Sequence, residues 1–324
     1  MDDRAKGRLV ASLLAGTWRA EVPSWPGDPW QAALPILSQT STVSLAWRKL
    51  QDDRLLPLHK LEYVRNVVVE RDLAQAVTRL RSAGIEPLLV KGWSSARTYH
   101  GTRCRHLGDV DLCIEPGQFE AAQRVVLHDL ATPVDLHRGM VNDQGYPLDA
   151  LDWRELHRAG VTVALGETPV RVLAAEDHLR VVGLHSVRSG FTRVYQLCDV
   201  ASALEAVGSD FDWGRCLRPL GVRLDWLECA AGLAVDLLGA RLPAGPLRAR
   251  SPDWVRTAVE RRWGRLWRPF QWRDPGMLYD RLSDPLWSIK RWSGALQTMP
   301  RWRCQAEELR NSVARVLRME ENSP

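Results

Sequence analysis

The sequence predicts an α+β protein: a small mixed β-sheet, preceded by helices and followed by an all-helical lobe from about residue 174. Three observations carry this expectation. Residues 28–84 keep helical spacing, with Trp30, Ala33, Leu34 and Leu37 on one stripe and a long amphipathic pattern from 57 to 80. Between 85 and 173 that period gives way to short apolar runs bounded by turn residues, the pattern of strands. After Ala174 the helical period returns and persists. The change of pattern divides the chain into two expected domains, 1–173 and 174–324.

Each element has a local reason. The N-terminal helical run stops at Ala83-Gly84. Residues 85–90 read as a short buried strand, 94–99 as a helix and 109–115 as a second strand. Pro116 opens a helix through 127, because the first turn does not need the donor that proline lacks. Residues 133–137 form a third strand, and 161–165 with 169–173 a hairpin around Gly166. The lobe begins with a helix carrying Leu179, Val182, Leu184 and His185, followed by helices at 194–207, 213–220, 224–238 and 254–267. Asp212 precedes Trp213 at the start of one of these, the position of an N-cap. Beyond Pro252, Trp254, Trp263, Trp267, Trp272, Trp287, Trp292 and Trp302 interleave with arginines. Packing of these indoles on the core or a second subunit is the preferred reading, over stacking on single-stranded nucleic acid.

Composition narrows the function classes. With 324 residues, 45% hydrophobic and 26% charged, the chain is an ordinary globular one, long enough for two cored domains. No run approaches eighteen apolar residues, so no membrane span is expected. Acidic residues precede the mild apolar run at the N-terminus, unlike a secretory signal, and a cytoplasmic protein is expected. Cys104, Cys113, Cys198, Cys216, Cys229 and Cys304 form no C-x-x-C pair, which argues for buried free thiols over a zinc site. The net charge of +5 suits polyanionic partners such as nucleotides or RNA without establishing nucleic-acid binding.

The chemistry concentrates between Leu88 and Glu115, which read LLVKGWSSARTYHGTRCRHLGDVDLCIE. Strand side chains alternate faces, so Asp109 and Asp111 project from one side while Val110 and Leu112 face the other. Two neighbouring carboxylates on an apolar strand are costly unless a cation neutralises them. A divalent metal is the usual answer, and Mg²⁺ held by one or two carboxylates normally also binds substrate phosphates. The preceding strand-turn offers what a triphosphate needs: Gly92, the hydroxyls of Ser94 and Ser95, and a cation at Lys91. Lysine is otherwise found only at Lys6, Lys49, Lys60 and Lys290, so its choice here is unusual for this arginine-rich chain. A third strand presents Asp135 with His137 on the same face, where His137 could orient Asp135 or touch an acceptor. His178 and His185 share one helix face, which favours hydrogen bonds from the helical lobe to the sheet. Asp199 is expected to anchor its helix or pair with Arg193.

These residues, in this order, resemble the nucleotidyltransferase fold of the DNA polymerase β type. More closely, they resemble the bacterial nucleotidyltransferase family called NTP-transferase type 5. The resemblance rests on Lys91-Gly92, Tyr99, Arg105, Asp109-Val110-Asp111 and Val134-Asp135-Leu136-His137. It continues through Glu176-Asp177-His178-Leu179, His185 and Leu197-Cys198-Asp199-Val200, covering about residues 30–240. It implies a sheet of the polymerase β-like type and a catalytic role for residues 1–173. Asp109 and Asp111 would bind two Mg²⁺ ions that bridge the phosphates of a nucleoside triphosphate. Asp135 would complete the metal site or accept the acceptor's proton. Lys91 and Arg105 would stand by the leaving phosphates, with Gly92, Ser94 and Ser95. Trp93 departs from the small residue of the wider superfamily. The implied reaction moves a nucleoside monophosphate from NTP to a hydroxyl or phosphate of a small molecule or peptide. Two other readings are a toxin-like nucleotidyltransferase acting on tRNA and a nucleotide-binding protein without turnover. The three clustered carboxylates speak against the last.

Overall fold

The computed structural model describes residues 1–266 apart from 26, 28–29, 127–130, 142–148 and 150, together with 286–289 and 296–297. The protein is α+β and mostly helical. Its sheet has five short strands: β1 (Leu88–Leu89), β2 (Val110–Ile114), β3 (Val134–Arg138), β4 (Val161–Leu165) and β5 (Thr168–Val172). They lie in the order β3-β2-β1-β5-β4. β1 pairs antiparallel with β2 and parallel with β5, β2 pairs parallel with β3, and β4 and β5 form an antiparallel hairpin, so the sheet is mixed. Gly166, at φ +56°, turns that hairpin at the first of its two loop residues, where a side chain would be strained. β1 is shorter than the expected 85–90 for two local reasons. Pro87 has no N–H to give the ladder, and at Lys91 the backbone leaves the strand with φ +53°.

The two faces of the sheet bury different things. Leu89, Val110, Leu112 and Ile114 face α4 (Leu56–Ser82) and α6 (Phe119–Val126), packing with Leu73, Val77, Leu80 and Ala122. On the opposite face Leu88, Val90 and Cys113 meet Met140, Leu173, Trp153 and Leu156 of α7 (Trp153–Ala159), and Val181 of α8 (Ala175–Arg188). Every residue of β2 is buried, Asp111 included. A strand covered on both faces leaves its one carboxylate in a dry setting, and that sets the terms for the site.

Around the sheet, the helices divide differently from the simplest reading. The expected helical stretch 28–84 is broken into a 3₁₀ turn (Trp30–Ala33), α2 (Leu34–Gln39), α3 (Val43–Leu50) and α4. Left-handed backbone at Ser41 and Gln51 ends α2 and α3, and Pro35 and Pro57 begin α2 and α4. Pro116 opens a 3₁₀ turn (Pro116–Gln118), and the α-helix follows it at Phe119. In the lobe, α8 is followed by α9 (Val194–Glu205), α10 (Trp213–Leu217), a 3₁₀ segment (Arg218–Arg223), α11 (Leu224–Leu238) and α12 (Asp253–Trp263). The Asp212 carboxylate caps α10 by accepting from the Arg215 amide at 3.0 Å. The N-terminal apolar run forms α1 (Asp3–Leu14), capped by Asp2 through the Ala5 amide at 2.7 Å.

α1, α2 and α3 share one apolar core with α8, α9, α11 and α12, so the N-terminal helices pack on the helical lobe. Gly7 lets α1 lie against α12, because a Cβ there would come 1.7 Å from the Glu260 carbonyl oxygen. A domain boundary near 173 remains a proposal, with α1–α3 joining the C-terminal side of it. Trp263 is buried and donates to the Phe191 carbonyl at 2.9 Å, as packing of the tail indoles would require. Trp267, Trp272, Trp292 and Trp302 lie outside the described residues. All five described cysteines are buried free thiols. Among the described residues no helix is long and apolar enough to cross a membrane.

Candidate functional site

The parallel pairing of β2 and β3 places Asp111 opposite Asp135 and Cys113 opposite His137. With a side-chain period of two, all four point to the same face. The His137 ring reaches diagonally back, its Nε2 3.0 Å from Asp111 Oδ1 and 3.6 Å from Asp135 Oδ2. One potential ligand atom from each of Asp111, Asp135 and His137 lies within 4.8 Å of the others. Burial is graded across the group. His137 is 1% exposed and Asp111 5%, while the Asp135 side chain is 42% exposed and opens the cluster to solvent.

Lys91 supplies the counter-charge, its Nζ standing 2.6 Å from Asp111 Oδ1. Burial alone would depress the Lys91 ammonium, but the Asp111 carboxylate outweighs it and raises the pKa above the ordinary value. Burial would likewise raise Asp111, yet Lys91 first and then His137 hold it well below the usual carboxylate range. The backbone of Lys91 lies at φ +53°, ψ −154°, a region populated almost solely by glycine. Such strain costs about 1–3 kcal/mol and persists only where the surroundings impose it. Gly92 follows at φ +42°, again in the range that favours glycine. Two successive positive-φ residues carry the chain from β1 into the short α5 (Gly92–Ala96).

Asp109, the residue before β2, is exposed at the mouth of the cluster. Partial desolvation and then the Asp111 charge push its carboxyl upward, and Lys91 and Arg193 pull it back. It is not one of the three close ligand groups, where His137 stands instead.

Other sequence candidates are placed as follows. Ser94 and Ser95 lie on α5, buried, and neither hydroxyl has a hydrogen-bond partner. Trp93 turns into the α4-side core, its Nε1 3.3 Å from Glu70 Oε1, so its bulk leaves the carboxylate face clear. Arg105 does not join the carboxylates. Its Nε and Nη2 donate to both oxygens of Asp199 at 3.1 and 2.7 Å, and its guanidinium lies 4.5 Å from the Tyr195 ring. Tyr99 donates to the same carboxylate at 2.8 Å. Asp199 therefore pairs with Arg105 and Tyr99, not with the expected Arg193. Arg193 instead donates to the Tyr195 hydroxyl at 2.9 Å and is exposed, with its charge acting on Asp109. Sequence reasoning missed it as a cation near the site, since only the long-range fold brings the start of α9 beside β2.

The two lobe histidines also differ from expectation. His185 Nε2 lies 3.1 Å from Gln196 Nε2 on α9, a contact within the lobe, and neither ring nitrogen of His178 has a partner. Burial pushes His178 down to about 4 and His185 to about 3. Nearby, Arg180 bridges Asp149 and Asp177, all fully buried, a network the sequence did not announce.

The sequence model of a family described as uncharacterised nucleotidyltransferases matches residues 26–130 and 125–235. Those segments contain the strand-turn, the three carboxylates, His137 and the Arg105–Asp199 pair. No curated protein and no solved structure matches the chain. The chain belongs to this uncharacterised nucleotidyltransferase family.

Two predictions follow from the geometry. Arg105→Met leaves Asp199 buried without its cation and lowers the free energy of unfolding in urea by about 3–5 kcal/mol. Adding Asp199→Leu recovers most of that, whereas an unchanged single variant would return Arg105 to a phosphate role. The second concerns acid. Unfolded His178 takes up a proton near pH 6.5, while the folded ring resists down to about 4. Its contribution is therefore complete above pH 6.5 and is lost as pH falls toward 4, amounting to about 2 kcal/mol at pH 5. His178→Leu should flatten the fall in stability between pH 7.5 and 5, and parallel profiles for the two proteins would contradict the assignment.

Proposed function

We propose that the protein is a Mg²⁺-dependent nucleotidyltransferase that moves a nucleoside monophosphate from NTP to a hydroxyl or phosphate acceptor on a small molecule or peptide, releasing pyrophosphate. Family membership supports nucleotidyl transfer in general. The observation that carries the finer reading is the in-register pairing of Asp111 and Asp135 at the end of a dry strand, open to solvent on the Asp135 side. The donor set fits a hard divalent cation: carboxylate oxygens converge within 4.8 Å, and Lys91 and His137 both reach Asp111 Oδ1, which leaves Oδ2 for a metal. Asp109, Asp111 and Asp135 are the proposed holders. When bound, the cations would screen the phosphates, sharpen the nucleophile and stabilise the leaving pyrophosphate.

The remaining roles belong to the chain's own groups. Asp135, half in solvent, either completes the cation's ligand set or accepts the acceptor's proton as a general base. Lys91 holds Asp111 ionised and oriented. It meets the nucleotide from beside that carboxylate, with Gly92 allowing close approach. Ser94 and Ser95 carry hydroxyls with bonds still to make. Arg105 acts through Asp199, tying the strand-turn to the lobe, and Arg193 is the exposed cation on the Asp109 side. The tRNA reading rests on net charge and on a tail that lies mostly outside the described residues, so the small acceptor is preferred.

The test is incubation with Mg²⁺, each NTP and candidate acceptors, following pyrophosphate release and product mass. Asp135→Asn should lose turnover by on the order of 10²–10⁴-fold while its melting temperature stays within about 2 °C, since the side chain is half exposed. Asp111→Asn should lose turnover and also about 3–5 kcal/mol of stability, because Lys91 is left buried and unpaired. Full turnover in Asp135→Asn would remove the site from the reaction.

A further inference from the structure

We infer that the acceptor is a peptide segment, bound in extended form along the open edge of β3, which brings a serine, threonine or tyrosine hydroxyl to Asp135. This rests on the nucleotidyl-transfer reading and narrows its acceptor to one class.

The sheet has two edges, β3 and β4, and only β3 carries residues of the carboxylate cluster. The Pro133 carbonyl accepts from the Val110 amide at 3.0 Å, and the Gly139 amide donates to the Ile114 carbonyl at 2.7 Å. Peptide groups along a strand turn alternately to its two sides. Those of Asp135 and His137, in step with Pro133 and Gly139, therefore also face β2. Those of Val134, Leu136 and Arg138 face away from the sheet. Arg138 meets Val141 in an isolated antiparallel bridge, so this edge already takes an antiparallel partner at one end. Val134 and Leu136 are partly exposed, and their backbone N–H and C=O groups have no partner among the described residues.

An open edge of this kind is a template for another strand. Its donors and acceptors recur at every second residue, about 6.6 Å apart, a spacing that a peptide backbone matches and a compact metabolite does not. Val134 and Leu136 turn their side chains toward the core under α6, which leaves the Asp135 face open. A residue opposite Asp135 on an added strand projects to that same face, its Cβ about 5 Å away. A hydroxyl there stands beside the carboxylates. A second copy adding its own β3 would deliver no hydroxyl, since that strand reads Val-Asp-Leu-His-Arg. The step needs no further reactant. The hydroxyl oxygen bonds to the α-phosphorus of the NTP, the bond from that phosphorus to pyrophosphate breaks, and the proton passes to Asp135 or water.

The experiment gives the full-length protein Mg²⁺, NTP and a pool of heptapeptides with Ser, Thr or Tyr at the centre and random flanks, with free serine and glycerol phosphate in parallel. We expect nucleotidyl-peptides, with apolar residues enriched on either side of the hydroxyl, where they meet Val134 and Leu136. In a selected peptide, N-methylating those two flanking residues, whose amides face β3, raises KM about tenfold or more. N-methylating the hydroxyl residue, whose amide faces away, changes KM less than about threefold. Val134→Pro removes one outward N–H at the first residue of an edge strand and raises the peptide KM about threefold or more, with kcat within about twofold. The methylated peptides use the wild-type protein and decide the matter even if the variant does not fold. Transfer to the small acceptors but to no peptide, or equal effects of the two methylations, overturns the inference and leaves nucleotidyl transfer standing. So does a dimer that Val134→Pro dissociates, because the edge then belongs to a second copy. No pyrophosphate release with any acceptor overturns both.

Discussion

Asp111 is a carboxylate on a strand buried on both faces, and the surrounding structure is arranged to neutralise it. An unpaired charge at that depth would cost several kcal/mol. Lys91 meets it at 2.6 Å, at the expense of a backbone conformation normally left to glycine. The strain of about 1–3 kcal/mol is smaller than the penalty that the pair removes. β1 ends at Leu89, where Lys91 turns out of the strand, and Gly92 follows at φ +42°. Burial first, and the Lys91 ammonium second, hold the His185 pKa well below its ordinary value. Asp135, brought alongside by the parallel register, adds a second negative charge that Lys91 does not pair with. The excess is the physical basis for expecting a cation.

The lobe holds the turn that the pair depends on. Tyr99 and Arg105 leave the strand-turn segment and end on Asp199 of α9, and Ser202 of the same helix donates to the Thr98 carbonyl at 2.8 Å. From the other side, Asn66 of α4 binds the carbonyls of Arg103 and Arg105 and the amide of Leu107, each at 2.9 Å. The segment between β1 and β2 is thus fixed at both ends of its course, which sets where Asp109 emerges. These bonds tie the lobe to the segment that carries Asp109 without placing lobe carboxylates in the cluster.

Much of this was legible in the sequence because it is local. Period-two alternation put Asp109 and Asp111 on one face, opposite Val110 and Leu112, and Asp135 and His137 on one face of their own strand. Helical period placed α4, α8 and α11 to within a few residues. What was not legible depends on contacts between distant segments. The strand register that sets Asp111 against Asp135 arises from non-local pairing. So does the Arg105–Asp199 bond, formed across 94 residues; from local pattern Arg193 is the nearer partner for Asp199, and the phosphate role for Arg105 comes from the family resemblance. The breaks at Ser41 and Gln51 were missed because neither residue announces a left-handed turn as glycine would.

The central claim is that Asp111 and Asp135 together receive a divalent cation carrying nucleotide phosphates. Crystals grown with Mn²⁺ and a non-hydrolysable NTP analogue test it most directly, by locating the ion from its anomalous scattering. The account predicts a peak within ligand distance of both carboxylates and of the phosphate oxygens, with Lys91 still on Asp111. Nucleotide and cation bound elsewhere, with this face of β2 and β3 empty, would contradict it.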